Sequence, residues 1–165
     1  MKRKSLFIAA MLMAVCFEPC HAQDVKELTE KVESLQEELQ ELRREYDYMY
    51  CKYGLDIIGL EVAELTLNLQ ETADDLGDAL SGKNTAITYE DQKKSNELDK
   101  GVYKSYKSLY ESRKEEVNAI ALRSNFYEGE KKALRATEAH IESRLQKAKF
   151  YLEFIEKYTE ALKGF

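Results

Sequence analysis

The chain has 165 residues, with 25 basic and 31 acidic side chains, a net charge of −6, a single proline and no tryptophan. The acidic balance argues against nucleic-acid binding, which needs a concentrated basic face. Three cysteines and two histidines leave little for a disulfide framework or a metal centre.

The first segment reads as an export signal. Lys2, Arg3 and Lys4 precede an apolar run from Leu6 to Val15, too short to span a bilayer, and Pro19 interrupts the chain just beyond it. Cleavage is expected near Ala22-Gln23, with residues 1–22 as the secretory signal. Val15 before Cys16 and Pro19 before Cys20 argue against a lipoprotein site. Removing three basic groups and one acid takes the net charge from −6 to −8. Cys51 is then the only cysteine and no proline remains, so helix is the expected state. With no later stretch apolar enough to cross a membrane, the expectation is a soluble, exported protein, periplasmic or extracellular.

Asp24 and Glu27 form a capping pair for the first helix. Val25, Leu28, Val32, Leu35, Leu39 and Leu42 then follow at spacings of 3, 4, 3, 4 and 3. So narrow a stripe needs a second helix with the same seam. β-Branched residues at one seam position and leucine at the other favour a parallel dimer, in which Glu38 meets Arg43 of the other copy. Residues 23–45 are therefore expected to form a coiled-coil arm, pairing with itself or with a helix from an envelope protein.

A cluster of aromatic residues comes next. Tyr46, Met49, Tyr50 and Tyr53 share one face, with Cys51 at its edge and Tyr48 on the far side. The expectation is that the first face packs where the arm meets a bundle, leaving Tyr48 as the contact residue. Cys51 can bridge two chains or serve as a small buried apolar residue. Leu55, Ile58, Val62, Leu65, Leu69, Ala73, Leu76 and Leu80 continue the helix, broadened by Leu60 and Leu67. Gly54 and Gly59 weaken it, and Gly82 suits a left-handed cap. Glu71, Asp74, Asp75 and Asp78 make an acidic face that invites a basic partner or a divalent cation, although it lacks the alternating ligands and glycine of an EF-hand loop.

Thr88 and Asp91 can open a second helix carrying Leu98, Val102, Tyr106, Leu109, Val117 and Ile120, with Tyr103, Tyr106 and Tyr110 as an aromatic stripe. A turn is expected near 124–126. Leu134, Ile141, Leu145, Ala148, Leu152, Ile155 and Leu162 then define a third helix, with Glu138 and Thr159 as polar gaps. Helices at about 46–80, 88–123 and 126–163, equal in length and joined by short turns, predict an all-α fold in which the arm runs into an antiparallel three-helix bundle, residues 46–165. Residues 23–80 carry a net charge of −11 and residues 81–165 one of +3, so the first helix complements the other two.

No phosphate loop, dinucleotide fingerprint or zinc-ligand pattern occurs, and His140 lacks triad partners. No residue is expected to be catalytic, cofactor-binding or metal-ligating. The pattern predicts a non-enzymatic, exported coiled-coil protein acting as a structural or adaptor module and forming homo-oligomers. The alternative is an ATP-independent periplasmic holdase.

Overall fold

A computed structural model describes residues 22–83 and 87–163. Its regular elements are three helices: α1 (Ala22–Leu80), α2 (Tyr89–Ser124) and α3 (Glu128–Leu162). The expected signal, apart from Ala22, lies outside the described residues. The chain divides into two units, residues 1–43 and 44–165.

In the first unit the described residues are helical from Ala22 onward. Asp24 therefore lies in the first turn rather than at the cap, and its charge favours the positive end of the helix dipole. Ion pairs one turn apart, Lys31 to Glu27 at 2.7 Å and Lys26 to Glu30 at 3.8 Å, support the exposed helix.

The second unit is a three-helix bundle. Tyr106 of α2 donates to Glu61 of α1 at 2.6 Å, and Arg113 of α2 to Tyr50 of α1 at 3.0 Å, so these helices run antiparallel. α3 returns alongside α2: Asn96 meets Thr159 at 2.9 Å and Lys114 meets Glu142 at 2.6 Å. The core lies in two sections. Cys51, Leu55, Ile58 and Val62 of α1 pack with Tyr110, Val117, Ile120, Phe126, Leu134, Ile141 and Leu145. Leu65, Leu69, Ala73 and Leu76 pack with Ala148, Leu152 and Ile155. Each large apolar side chain among them contributes roughly 1.5–3 kcal/mol on full burial, so these layers dominate the stabilising side.

The predicted ends of the helices are made by identifiable caps. Gly82 adopts φ +77°; its N–H donates to Ala79 O and that of Lys83 to Asp78 O, both at 3.0 Å. That pair of bonds is the Schellman arrangement. Thr88 Oγ1 accepts from the Asp91 N–H at 3.3 Å and starts α2. The turn expected at 124–126 is present. Asn125 closes α2 in the left-handed region at φ 51°, Phe126 is buried, and Glu130 accepts from the Tyr127 N–H at 2.7 Å to start α3.

α1 passes through Gly54 and Gly59 without a break. At Gly54 the missing side chain has a packing reason: a Cβ there would overlap the guanidinium of Arg113. On α2, Leu98, Val102 and Leu109 do not join the core. They stay exposed, while Tyr103, Tyr106 and Tyr110 face the other helices. The tyrosines win because their hydroxyls reach carboxylates on neighbouring helices, Glu61 for Tyr106 and Glu142 for Tyr110.

Thr159, expected as a polar gap, closes a buried chain of hydrogen bonds. Gln92 Nε2 donates to Asn96 Oδ1, Asn96 Nδ2 to Thr159 Oγ1, and Thr159 Oγ1 to the Ile155 carbonyl.

Candidate interaction surface

The six seam residues of the first unit, Val25, Leu28, Val32, Leu35, Leu39 and Leu42, are each 40–63% exposed. Among the described residues of this unit, nothing covers the stripe.

In the second unit the aromatic cluster is arranged differently from the sequence expectation. Tyr46, Met49 and Tyr53 are 71%, 59% and 67% exposed, so α2 and α3 do not cover them. Cys51 is fully buried, and Tyr48 packs edge-on against Phe126 with ring centroids 5.9 Å apart. The physical reason is an offset of two residues. Tyr48, Cys51 and Leu55 follow Tyr46, Met49 and Tyr53 by two positions, which is about 200° around a helix, so the two sets occupy opposite faces. The same offset separates exposed Leu60 and Leu67 from buried Val62 and Leu69. Within the bundle α1 is thus apolar on two faces, and α2 and α3 cover one.

Between these faces sits Tyr50. Its hydroxyl donates to Glu116 Oε1 at 3.0 Å and accepts from Arg113 Nη1 at 3.0 Å, and the guanidinium carbon lies 4.5 Å from the ring centroid. The Arg113 and Tyr50 bonds hold the Glu116 carboxyl below its usual range. Nearby, Ser124 bonds to Asp47, and Arg44 lies 3.5 Å above the centre of the Tyr127 ring, with its Nε 3.6 Å from Glu130. These contacts lock α1 against both neighbours around the cluster.

Cys51 is placed for packing. Burial pushes its thiol up to about 11, so it stays protonated and poorly nucleophilic at neutral pH. The bridging role open to it in the sequence would require the core to open first.

The acidic face is exposed at Glu71, Asp74, Asp75 and Asp78, with Asp78 paired to Lys83 at 3.0 Å. Among the described residues, no group of three or more His, Cys, Asp or Glu side chains is placed to hold a metal ion. Two open clefts lie between helices. One of about 430 Å³ is bordered by Val117, Leu122, Lys131 and Glu138; the other, about 560 Å³, by Leu67, Arg144, Phe150 and Tyr151. Among the described residues, no helix is long and apolar enough to cross a membrane.

Tyr46, Met49 and Tyr53, named in the sequence as junction or possible interface residues, and Leu60 and Leu67, which broaden the apolar face, are all exposed. No family model, curated protein or solved structure matches this chain.

Proposed function

We propose that the protein is an exported, non-enzymatic structural or adaptor module that assembles through the leucine seam of residues 25–42 and presents the three-helix bundle. A homo-oligomer, with a parallel dimer favoured, is the working state. The observation that carries this reading is the exposure of all six seam side chains in a helix segment that buries no other apolar face. The spacing is that of a knobs-into-holes seam, and the Glu38–Arg43 contact between copies matches the parallel register.

The export half of the proposal rests on the basic start, short apolar run and small residue at Ala22. Recovery from the envelope fraction with Gln23 as its N-terminus supports it. A cytosolic chain that still begins at Met1 overturns it.

A second reading is favoured by the number of large apolar side chains left exposed on all three helices, among them Leu60, Leu98, Leu122 and Phe150. Such surface suits an ATP-independent holdase, which shields unfolded chains by apolar contact. The two separate in a light-scattering assay with two or three unrelated unfolding clients. A holdase suppresses aggregation of each at near-stoichiometric ratios without nucleotide. An adaptor leaves all of them aggregating at the rate seen alone.

A further inference from the structure

α1 carries an apolar stripe outside the arm that none of the bundle contacts uses. Tyr46, Met49, Tyr53, Ile57 and Leu60 are all between 41% and 71% exposed. On a straight helix turning about 100° per residue, these five positions fall within a sector of roughly 80°. Their centre lies nearly opposite the buried line of Cys51, Leu55, Ile58 and Val62. In the sequence, the 3/4 spacing of the leucine repeat runs on without interruption from Leu42 to Tyr46, Met49 and Tyr53.

The geometry points to a second copy of this chain as the occupant: two copies of α1 pair in parallel through Tyr46, Met49, Tyr53, Ile57 and Leu60, in addition to the seam of residues 25–42. This rests on the proposed pairing of the arm and names how far the interface reaches.

Three observations select a second copy. In the sequence the stripe keeps the 3/4 spacing of residues 25–42, so the same parallel alignment of two copies suits each stretch, whereas an unrelated helix would have to match that spacing independently. The area is also appropriate. Five aromatic or long aliphatic side chains, each more than two-fifths exposed, offer on the order of 500 Å² per copy. A stable interface buries about 800 Å² per partner, which the stripe and the six arm residues supply together. Finally, the charge pattern allows the contact and ends it. At the stripe's edge Asp56 is neutralised by Lys52 at 2.5 Å. Glu64 then reaches the centre of the stripe, and no Lys or Arg occurs between Gly54 and Gly82. Two such helices side by side would place like charges opposite each other, so close pairing stops near Leu60 and Leu67 is left outside it.

From Tyr53 to Ile57 the spacing is 4 and from Ile57 to Leu60 it is 3, so Tyr46, Tyr53 and Leu60 stay seven residues apart and the heptad phase is kept.

The test uses the full chain with Cys51→Ala, so that introduced cysteines are the only ones in the mature protein. Leu35→Cys, Tyr53→Cys and Leu67→Cys are oxidised separately and run on non-reducing gels. Parallel pairing brings like positions within disulfide range, about 4.4–6.8 Å between Cα atoms. Covalent dimers are expected at 35 and 53, with at least a tenfold lower yield at 67. A dimer at 35 with none at 53 overturns this inference and leaves the arm's pairing standing. No dimer at either position defeats both, and equal yield at 67 overturns the stop at Glu64. Because Tyr53 is two-thirds exposed, Tyr53→Glu in the natural Cys51 background keeps the bundle folded. It should weaken self-association at least tenfold in sedimentation, and an unchanged dissociation constant refutes the extended seam.

Discussion

Gly54 and Gly59 lie five residues apart in the same helix, and replacing each by alanine should have different results. In a helix interior, Gly→Ala gains about 1 kcal/mol from reduced freedom of the unfolded chain and better helix propensity. At Gly59 the new Cβ would sit 3.5 Å from Ile141 Cγ1, an ordinary contact, so the gain should be realised. At Gly54 it would overlap the Arg113 guanidinium, which must move away. Arg113 would then lose its 3.0 Å bond to Tyr50, its stacking over that ring and its 2.5 Å bond to Glu116. Hydrogen bonds to charged groups contribute about 1.5–3 kcal/mol when well buried. Glu116 is 44% exposed, so solvent screening reduces the total loss to about 1–2 kcal/mol. Gly59→Ala should therefore raise the melting temperature by about 3 °C, whereas Gly54→Ala should leave it unchanged or lower it. Urea denaturation of both variants, alone and combined with Arg113→Ala, measures the coupling directly. In the Arg113→Ala background Gly54→Ala should become stabilising, like Gly59→Ala. If Gly54→Ala stabilises as much as Gly59→Ala with Arg113 intact, the guanidinium does not occupy the space above Gly54 and the reasoning fails.

Other consequences are equally open to measurement. Cys51 should react with a thiol reagent at pH 8 only as fast as the bundle opens, and reductant should not change the mass in solution; rapid labelling of the folded chain would show the thiol is not buried. Thr159→Val removes the acceptor for the buried Asn96 amide and should cost about 1–3 kcal/mol in urea denaturation, whereas Thr159→Ser should be nearly neutral. The Lys114 and Tyr110 bonds hold the Glu142 carboxyl below its usual range, so its contribution is present at neutral pH and is lost as pH falls through its folded value, below the ordinary carboxylate range. Glu142→Gln should cost roughly 0.5 kcal/mol at pH 7, given its exposure, and nothing at pH 2; an equal cost at both would remove the ionic explanation. Burial raises the Glu138 carboxyl, so its contribution has the opposite sign: it is most stabilising when protonated and fades as pH rises through the folded value.

The bundle was legible in the sequence where one pattern stood alone. α3 has a long apolar repeat, and six of its seven predicted positions, Leu134 to Ile155, are buried, with Leu162 half-buried at the end. The caps at Gly82 and Thr88 came from backbone chemistry that needs no tertiary knowledge. The aromatic cluster was not legible, because residues 46–55 carry two apolar repeats offset by two positions. Periodicity reveals both and does not say which one meets α2 and α3. Leu60 and Leu67 were the available signal, since each precedes a residue of the neighbouring repeat, Val62 or Leu69, by two places and so lies on the other side of the helix. On α2, hydrophobicity ranked Leu98, Val102 and Leu109 above the tyrosines. The deciding contacts were hydroxyl bonds to carboxylates on other helices, which no single-helix pattern contains.

The central claim is that the seam of residues 25–42 joins copies of this protein. Sedimentation equilibrium of the purified chain beside its Leu35→Glu variant tests it most directly. Leu35 is 63% exposed, so the substitution leaves the bundle core untouched. The account predicts a concentration-dependent dimer for the natural chain and a folded monomer for the variant. Two monomers at the highest attainable concentration, or two equally stable oligomers, would contradict it.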